Sequence, residues 1–278
     1  MTCTRCGWEC FEKMANEQPS EVYWKVEPPT CNLSAMSISP DFLKALDLAA
    51  GQFPGHKTYP WPSPGNLGGF TTFEDFGQWK AAVLGFRLPV GVPFNMIDLF
   101  DRALKLYLTA WLDFDLVTAG EMAALAALEH SLRDCYLGHF QRQHLEQIVE
   151  KAKREKRKPR LNENFRPEKV TLFTLLQHMH EQDGLTDDQL PCVQKYGGSV
   201  IRLLTGETNP SLTDMRNMRM HGSPFNSGYQ SGLLEVVRDL IAYAYRESIR
   251  AAPAGAKYHD NVTEFVATPN SENFFYFE

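Results

Sequence analysis

Between Thr72 and Arg250 the apolar residues recur every three to four positions, the period of a helix with one buried face, and nowhere alternate over a useful length. Phe73, Phe76, Trp79 and Val83 form a first stripe, broken by Pro89, Gly91 and Pro93. Phe94–Trp111 carries Ile97, Phe100, Leu104, Tyr107 and Trp111 on one side, as a central bundle helix would. Thr118-Ala-Gly-Glu121 has the form of a capping box and predicts the next start, followed by Met122, Leu125, Glu129, Leu132 and Tyr136. The alanines at 123, 124, 126 and 127 would let a neighbouring helix come close. Further helices are predicted over Thr171–Gln182 and from a second capping box, Thr186-Asp-Asp-Gln189, to near Gly206. The second of these is softened by Gly197-Gly198. A short helix over Asn209–His221 follows, opened by Asn-Pro and closed by Gly222, and a long one covers about Gly228–Arg250.

The flanks read differently. Residues 1–71 form an irregular N-terminal arm with a Pro/Gly-rich loop, apart from a short helix at Asp41–Ala50. The loop, Gly51–Gly69, contains a polyproline-like piece at Tyr59–Pro64. Residues 251–278 read as a loose C-terminal tail in which Phe274–Phe277 could dock into a groove. The expected organisation is therefore an arm (1–71), an all-α helical domain (72–250) and a tail (251–278). Cys3 and Cys6 have the gap of a zinc knuckle, but Cys31 lacks a near partner for Cys10, so zinc on Cys3, Cys6, Cys10 and Cys31 is the weaker reading beside no metal at all.

Charge narrows the partners. The chain carries a net charge of -6, so any nucleic-acid site must be local. Lys151–Lys169 is such a locality, with nine basic residues against three acidic. Lys151, Lys153, Arg154, Lys156, Arg157, Lys158 and Arg160 are its candidate phosphate contacts, set against the plainer reading of a solvated helix end. No apolar run is long enough to span a bilayer, no secretory leader is visible, and six cysteines do not suggest a disulfide framework; a cytoplasmic protein is expected. Phosphate-loop, nucleophile-elbow and HExxH patterns are lacking. His130, His139, His144, His178 and His180 fall on polar faces or at spacings that do not converge.

Chemistry gathers most tightly at Arg216-Asn217-Met218-Arg219-Met220-His221. Asn217 and His221 share a helical face with Arg216 on its flank. An imidazole can act as base or acid toward a ribose 2′-hydroxyl, and a guanidinium can grip phosphate oxygens in two parallel bonds. Asn217 can orient either. One copy holds one such histidine; two copies facing across a dyad supply two. Glu129 stands at a core position and needs a counter-ion, with Arg133 one turn on and Arg216 far along the chain as candidates.

Arg216-Asn217-(three residues)-His221, late in an all-α domain and before a long final helix, resembles the R-N-x-x-x-H signature of the HEPN superfamily. Ala124-Leu125-Ala-Ala-Leu128-Glu129-His-Ser-Leu132-Arg133 is similar to the A-L-E-x-x-L-R helix of HEPN-like bacterial proteins. The resemblance covers roughly 94–250 and implies a bundle of four to five core helices, usually dimeric. In active members it also implies a cofactor-free, metal-independent endoribonuclease of toxin–antitoxin or other defence systems. By position Arg216, Asn217 and His221 would be catalytic and Glu129 would orient Arg216, with Arg133 supporting. RNA, a second copy of the chain, and an antitoxin or other protein would be the partners. The alternative is an inactive HEPN-like module that binds RNA or a protein partner. The basic run and the extra helices between the two key helices depart from the family pattern.

Overall fold

In the computed structural model the described residues are 38–66, 69–156, 165–220, 231–253, 257–259 and 262–266. They are mostly helical, in ten helices with two small antiparallel hairpins, as an all-α class requires.

The centre is a pair of helices, α3 (Phe94–Thr109) and α4 (Leu116–Arg154). Pro93 starts α3 at the place where a missing N–H costs nothing, and Met96, Ile97, Phe100, Ala103, Leu104, Tyr107 and Leu108 form its buried face. Against it α4 presents Gly120, Ala124, Leu128 and Leu132, all on its buried side. At Gly120 a Cβ would stand 2.6 Å from Cδ2 of Tyr107, so the two helices are in close contact at this glycine, upstream of the alanine-rich turns. On its other sides α4 meets α5 (Leu172–Glu181) and α9 (Leu233–Ala244), which bury Leu175, Leu176 and Met179, and Val237, Leu240 and Ile241. Thr171 caps α5 by accepting from the Thr174 N–H at 3.2 Å.

Before this pair, α1 (Pro40–Ala50) is capped by Ser39, and α2 (Phe76–Leu84) by Asp75, whose carboxylate accepts from the Gln78 N–H at 2.8 Å. Between them part of the expected loop, Lys57–Pro60, is strand β1, paired antiparallel with β2 (Phe70–Phe73) in the register Lys57↔Phe73, so the expected polyproline piece begins inside a hairpin. Phe73 thus belongs to a strand, not to the first helical stripe. The hairpin places Tyr59 and Trp61 in the aromatic part of the core, Tyr59 stacked on Phe114 at 4.6 Å and Trp61 edge-on to Trp79 at 5.0 Å. Strands of four residues are too short for alternation to register in a pattern, and the prolines mask what little there is.

Three more expectations are corrected. Leu116 already lies within α4, so Thr118 does not cap it; Glu121 is fully buried in its interior. Thr186 and Gln189 do form a reciprocal capping box, but it opens one 3-10 turn, and the helical stretch after it splits into α6 (Pro191–Tyr196) and α7 (Ile201–Thr205). Pro191 starts a helix afresh, and Gly197 and Gly198 at φ 77° and 85° adopt a backbone that L-residues avoid. The final long helix is interrupted at Tyr245, giving α9 and α10 (Arg246–Ala251), with β3 (Lys257–His259) paired to β4 (Val262–Val266) beyond. The four N-terminal cysteines and the start of the final helix at Gly228 lie outside the described residues, as does Phe274–Phe277.

Candidate functional site

The short helix that carries the site, α8, runs Leu212–Met220. It does not start at Asn209. Ser211 and Asp214 cap it reciprocally: the serine hydroxyl accepts from the Asp214 N–H at 3.1 Å, and the Asp214 carboxylate accepts from the Ser211 N–H at 3.1 Å and from its hydroxyl at 2.6 Å. These bonds hold the Asp214 carboxyl below its usual range. Leu212, Met215 and Arg219 form the buried face of α8, which sets Arg216 on the rim and Asn217 in solvent.

Glu129 on α4 sits between two guanidinium groups. Its Oε2 accepts from Nη2 of Arg216 at 2.9 Å, and its Oε1 from Nε and Nη2 of Arg133 at 3.2 and 3.0 Å. Nη1 of Arg216 donates to Oδ1 of Asn217 at 3.1 Å. Arg133 also donates to the carbonyls of Pro167 and Val170 at 3.0 and 2.8 Å, so it ties α4 to the segment leading into α5. Of the two arginines, Arg133 is spent on structure. Arg216 keeps 31% of its side chain exposed, against 16% for Glu129. The position that the stripe of α4 assigns to the core is thus half-buried, and its carboxylate has the counter-ions that burial demands.

Beneath this bridge lies a second ion pair that the sequence reading passed over. Arg219 Nη2 is 2.5 Å from Glu121 Oε2, with side chains 2% and 0% exposed. Tyr107 stands beside the pair, its hydroxyl pushed well above the usual tyrosine range by burial and by Glu121. A cavity of about 50 Å³ opens between the two pairs, lined by Met122, Leu125, Ala126, Glu129, Arg216 and Arg219. The signal for the inner pair was a charge on each of two apolar stripes: Arg219 in line with Leu212 and Met215, and Glu121 in line with Leu125 and Leu128.

Of the expected site residues, Arg216, Asn217, Glu129 and Arg133 come together. His221, Arg157, Lys158 and Arg160 lie outside the described residues. Lys151, Lys153 and Arg154 are exposed on the last turn of α4 and Lys156 just beyond it, roughly 33 Å along the helix from Glu129 at the usual rise per residue. Among the described residues no group of three or more His, Cys, Asp or Glu side chains could hold a metal ion. Two histidines do converge, against expectation. The rings of His139 on α4 and His178 on α5 are 4.4 Å apart, flanked by Tyr136 and Phe140 at 4.9 and 5.3 Å from His178. Spacing along one helix cannot report a partner on another.

Among the described residues no helix is long and apolar enough to cross a membrane. Comparison of the chain with known protein families, with curated proteins and with solved structures found no match. Fold and site therefore define the class in their own terms: a mostly helical protein in which one carboxylate of its longest helix bridges two arginines.

Proposed function

We propose that the chain is a metal-independent endoribonuclease of HEPN type, with Arg216, Asn217 and His221 as catalytic residues and Glu129 as the residue that positions Arg216. A defence or toxin role and a homodimeric state come with this reading. The observation that carries it is the Glu129 bridge, which presents a half-exposed guanidinium beside an exposed amide at the helical turn just before His221. A guanidinium so held is preorganised for the charge that grows on a scissile phosphate, and the imidazole supplies proton transfer. Lys151, Lys153 and Arg154 would hold the RNA backbone further along.

The test is cleavage of single-stranded RNA by the purified chain in EDTA. His221→Ala is expected to lower the rate by about 100-fold or more while leaving the helical circular-dichroism signal unchanged. Cleavage at an equal rate by that variant would remove the assignment.

A second reading has one observation in its favour: the guanidinium of Arg216 already serves Glu129 and Asn217, as a purely structural arginine would. On that reading the domain binds RNA, or a protein partner, without turnover. Intact RNA after prolonged incubation, with binding that weakens steeply as salt rises, is its signature.

A further inference from the structure

Among the described residues two ion pairs join α8 to α4, and their spacings do not match. Glu121 and Glu129 are about 12 Å apart along α4, whereas Arg216 and Arg219 are about 4.5 Å apart along α8. The side chains make up the difference by splaying along α4 in opposite senses. Sliding α8 either way therefore stretches one of the two contacts, and the pairs together pin it.

Little else on this part of α8 could do so. The Ser211–Asp214 cap is local to the helix. Beside Arg216 and Arg219 the helices are separated by the cavity of about 50 Å³, so apolar side chains do not interlock there. The two anchors are also unequal. The Glu129–Arg216 pair is partly exposed, and water competes with it. The Glu121–Arg219 pair is buried, and Glu121 follows Gly120, where α4 is packed tightly on Tyr107 of α3. A buried ion pair adds little net stability over apolar residues of similar size, because lost hydration offsets the attraction. What apolar residues do not reproduce is direction, since a carboxylate and a guanidinium bond in few alignments.

We infer that Glu121 and Arg219 are positioning residues: their buried pair fixes where α8 lies along α4, and so holds the Arg216 guanidinium at the rim within reach of Glu129. The effect on cleavage rests on the ribonuclease reading, whereas the placing of Arg216 does not.

Nuclear magnetic resonance of the full chain tests the inference through the side-chain N–H signals of Arg216, assigned by their loss in Arg216→Lys. In the parent they are expected to be protected from exchange and shifted from those of free arginine. Arg219→Met combined with Glu121→Leu removes the pair without stranding a charge. In that variant the Arg216 signals are expected to collapse to the free-arginine position. RNA cleavage in EDTA should show kcat lowered about tenfold or more, with KM within about twofold of the parent. Arg219→Lys keeps the charge of the pair but shortens its reach, so it tests the inference even if the apolar variant does not fold; it too is expected to shift the Arg216 signals. Signals that match the parent in either variant would overturn the inference, as would free-arginine signals in the parent itself. So would an unchanged kcat in the folded apolar variant. A parent that leaves RNA intact would remove the ribonuclease reading alone, because the Arg216 signals are read without turnover.

Discussion

Glu121 and Glu129 lie about two turns apart on α4, and each meets an arginine of α8, Arg219 inside and Arg216 at the rim. The later arginine meets the earlier glutamate, so α8 runs against the direction of α4. The two rungs differ in energetics because they differ in exposure. A fully buried pair is held by strong attraction between ions that have lost their water, and removing one partner strands the other. Arg219→Met is therefore expected to lower unfolding stability in urea by about 3–5 kcal/mol, and adding Glu121→Leu to recover most of that loss. No recovery in the double variant would show that the pair itself is not the cause. Of the two rungs, only the outer one was legible in the sequence. Glu129 stood out because the pattern demanded a core residue there, and Arg216 because it opened a motif. Glu121 completed a plausible capping box with Thr118, and a local explanation hid a distant partner. His178 was missed for the same reason, since its neighbour His139 belongs to another helix.

At the level of elements, the helices with long apolar stripes came through the sequence with small errors at their ends; α3, which Pro93 opens without a side-chain cap, and α5, which Thr171 caps, are examples. What failed was punctuation. Pro191 and the Gly197-Gly198 pair each outweighed a continuous apolar stripe, and Ser211 outranked Asn209 as the cap of α8 because Asp214 answers it three residues on. One close approach had no signal in the pattern: Gly120 lies against Tyr107, where a Cβ would stand 2.6 Å from the ring. Gly120→Ala gains helix propensity, yet its methyl would press on that buried ring. A net loss of about 1–2 kcal/mol is expected, read by urea denaturation. Gly91→Ala should cost more in the same assay, because φ is 103° and the obstacle is the backbone of α10.

The described helices pack around α4, and its contact with α5 is expected to weaken in acid. His178 is pushed below the usual histidine range by burial first and by His139 second, while Asp183 pulls the other way. The unfolded chain, titrating near 6.5, binds more protons in this window than the folded one, so stability falls as pH drops through about 6.5 toward the lower folded value. Below that value the loss is complete. Asp183 behaves oppositely: burial would raise its carboxyl, but hydrogen bonds from Arg246 and Tyr136 outweigh burial and keep it charged, so its contribution is lost only in stronger acid. Urea midpoints at pH 7.5 and 5.5 should separate further in the parent than in His178→Gln; equal separation would mean that another group carries the acid sensitivity.

The length of α4 has a consequence of its own. Its 39 residues make a rod of about 58 Å, with the Arg216 bridge near one third of the way along and Lys151 to Arg154 at the far tip. On the proposed function, the rod works as a ruler. A strand that touches both marks must cover roughly 33 Å, or about ten stacked nucleotides at roughly 3.4 Å each. Shorter fragments can rest on one mark but not on both, so products released by cutting would lose their grip as they shrink.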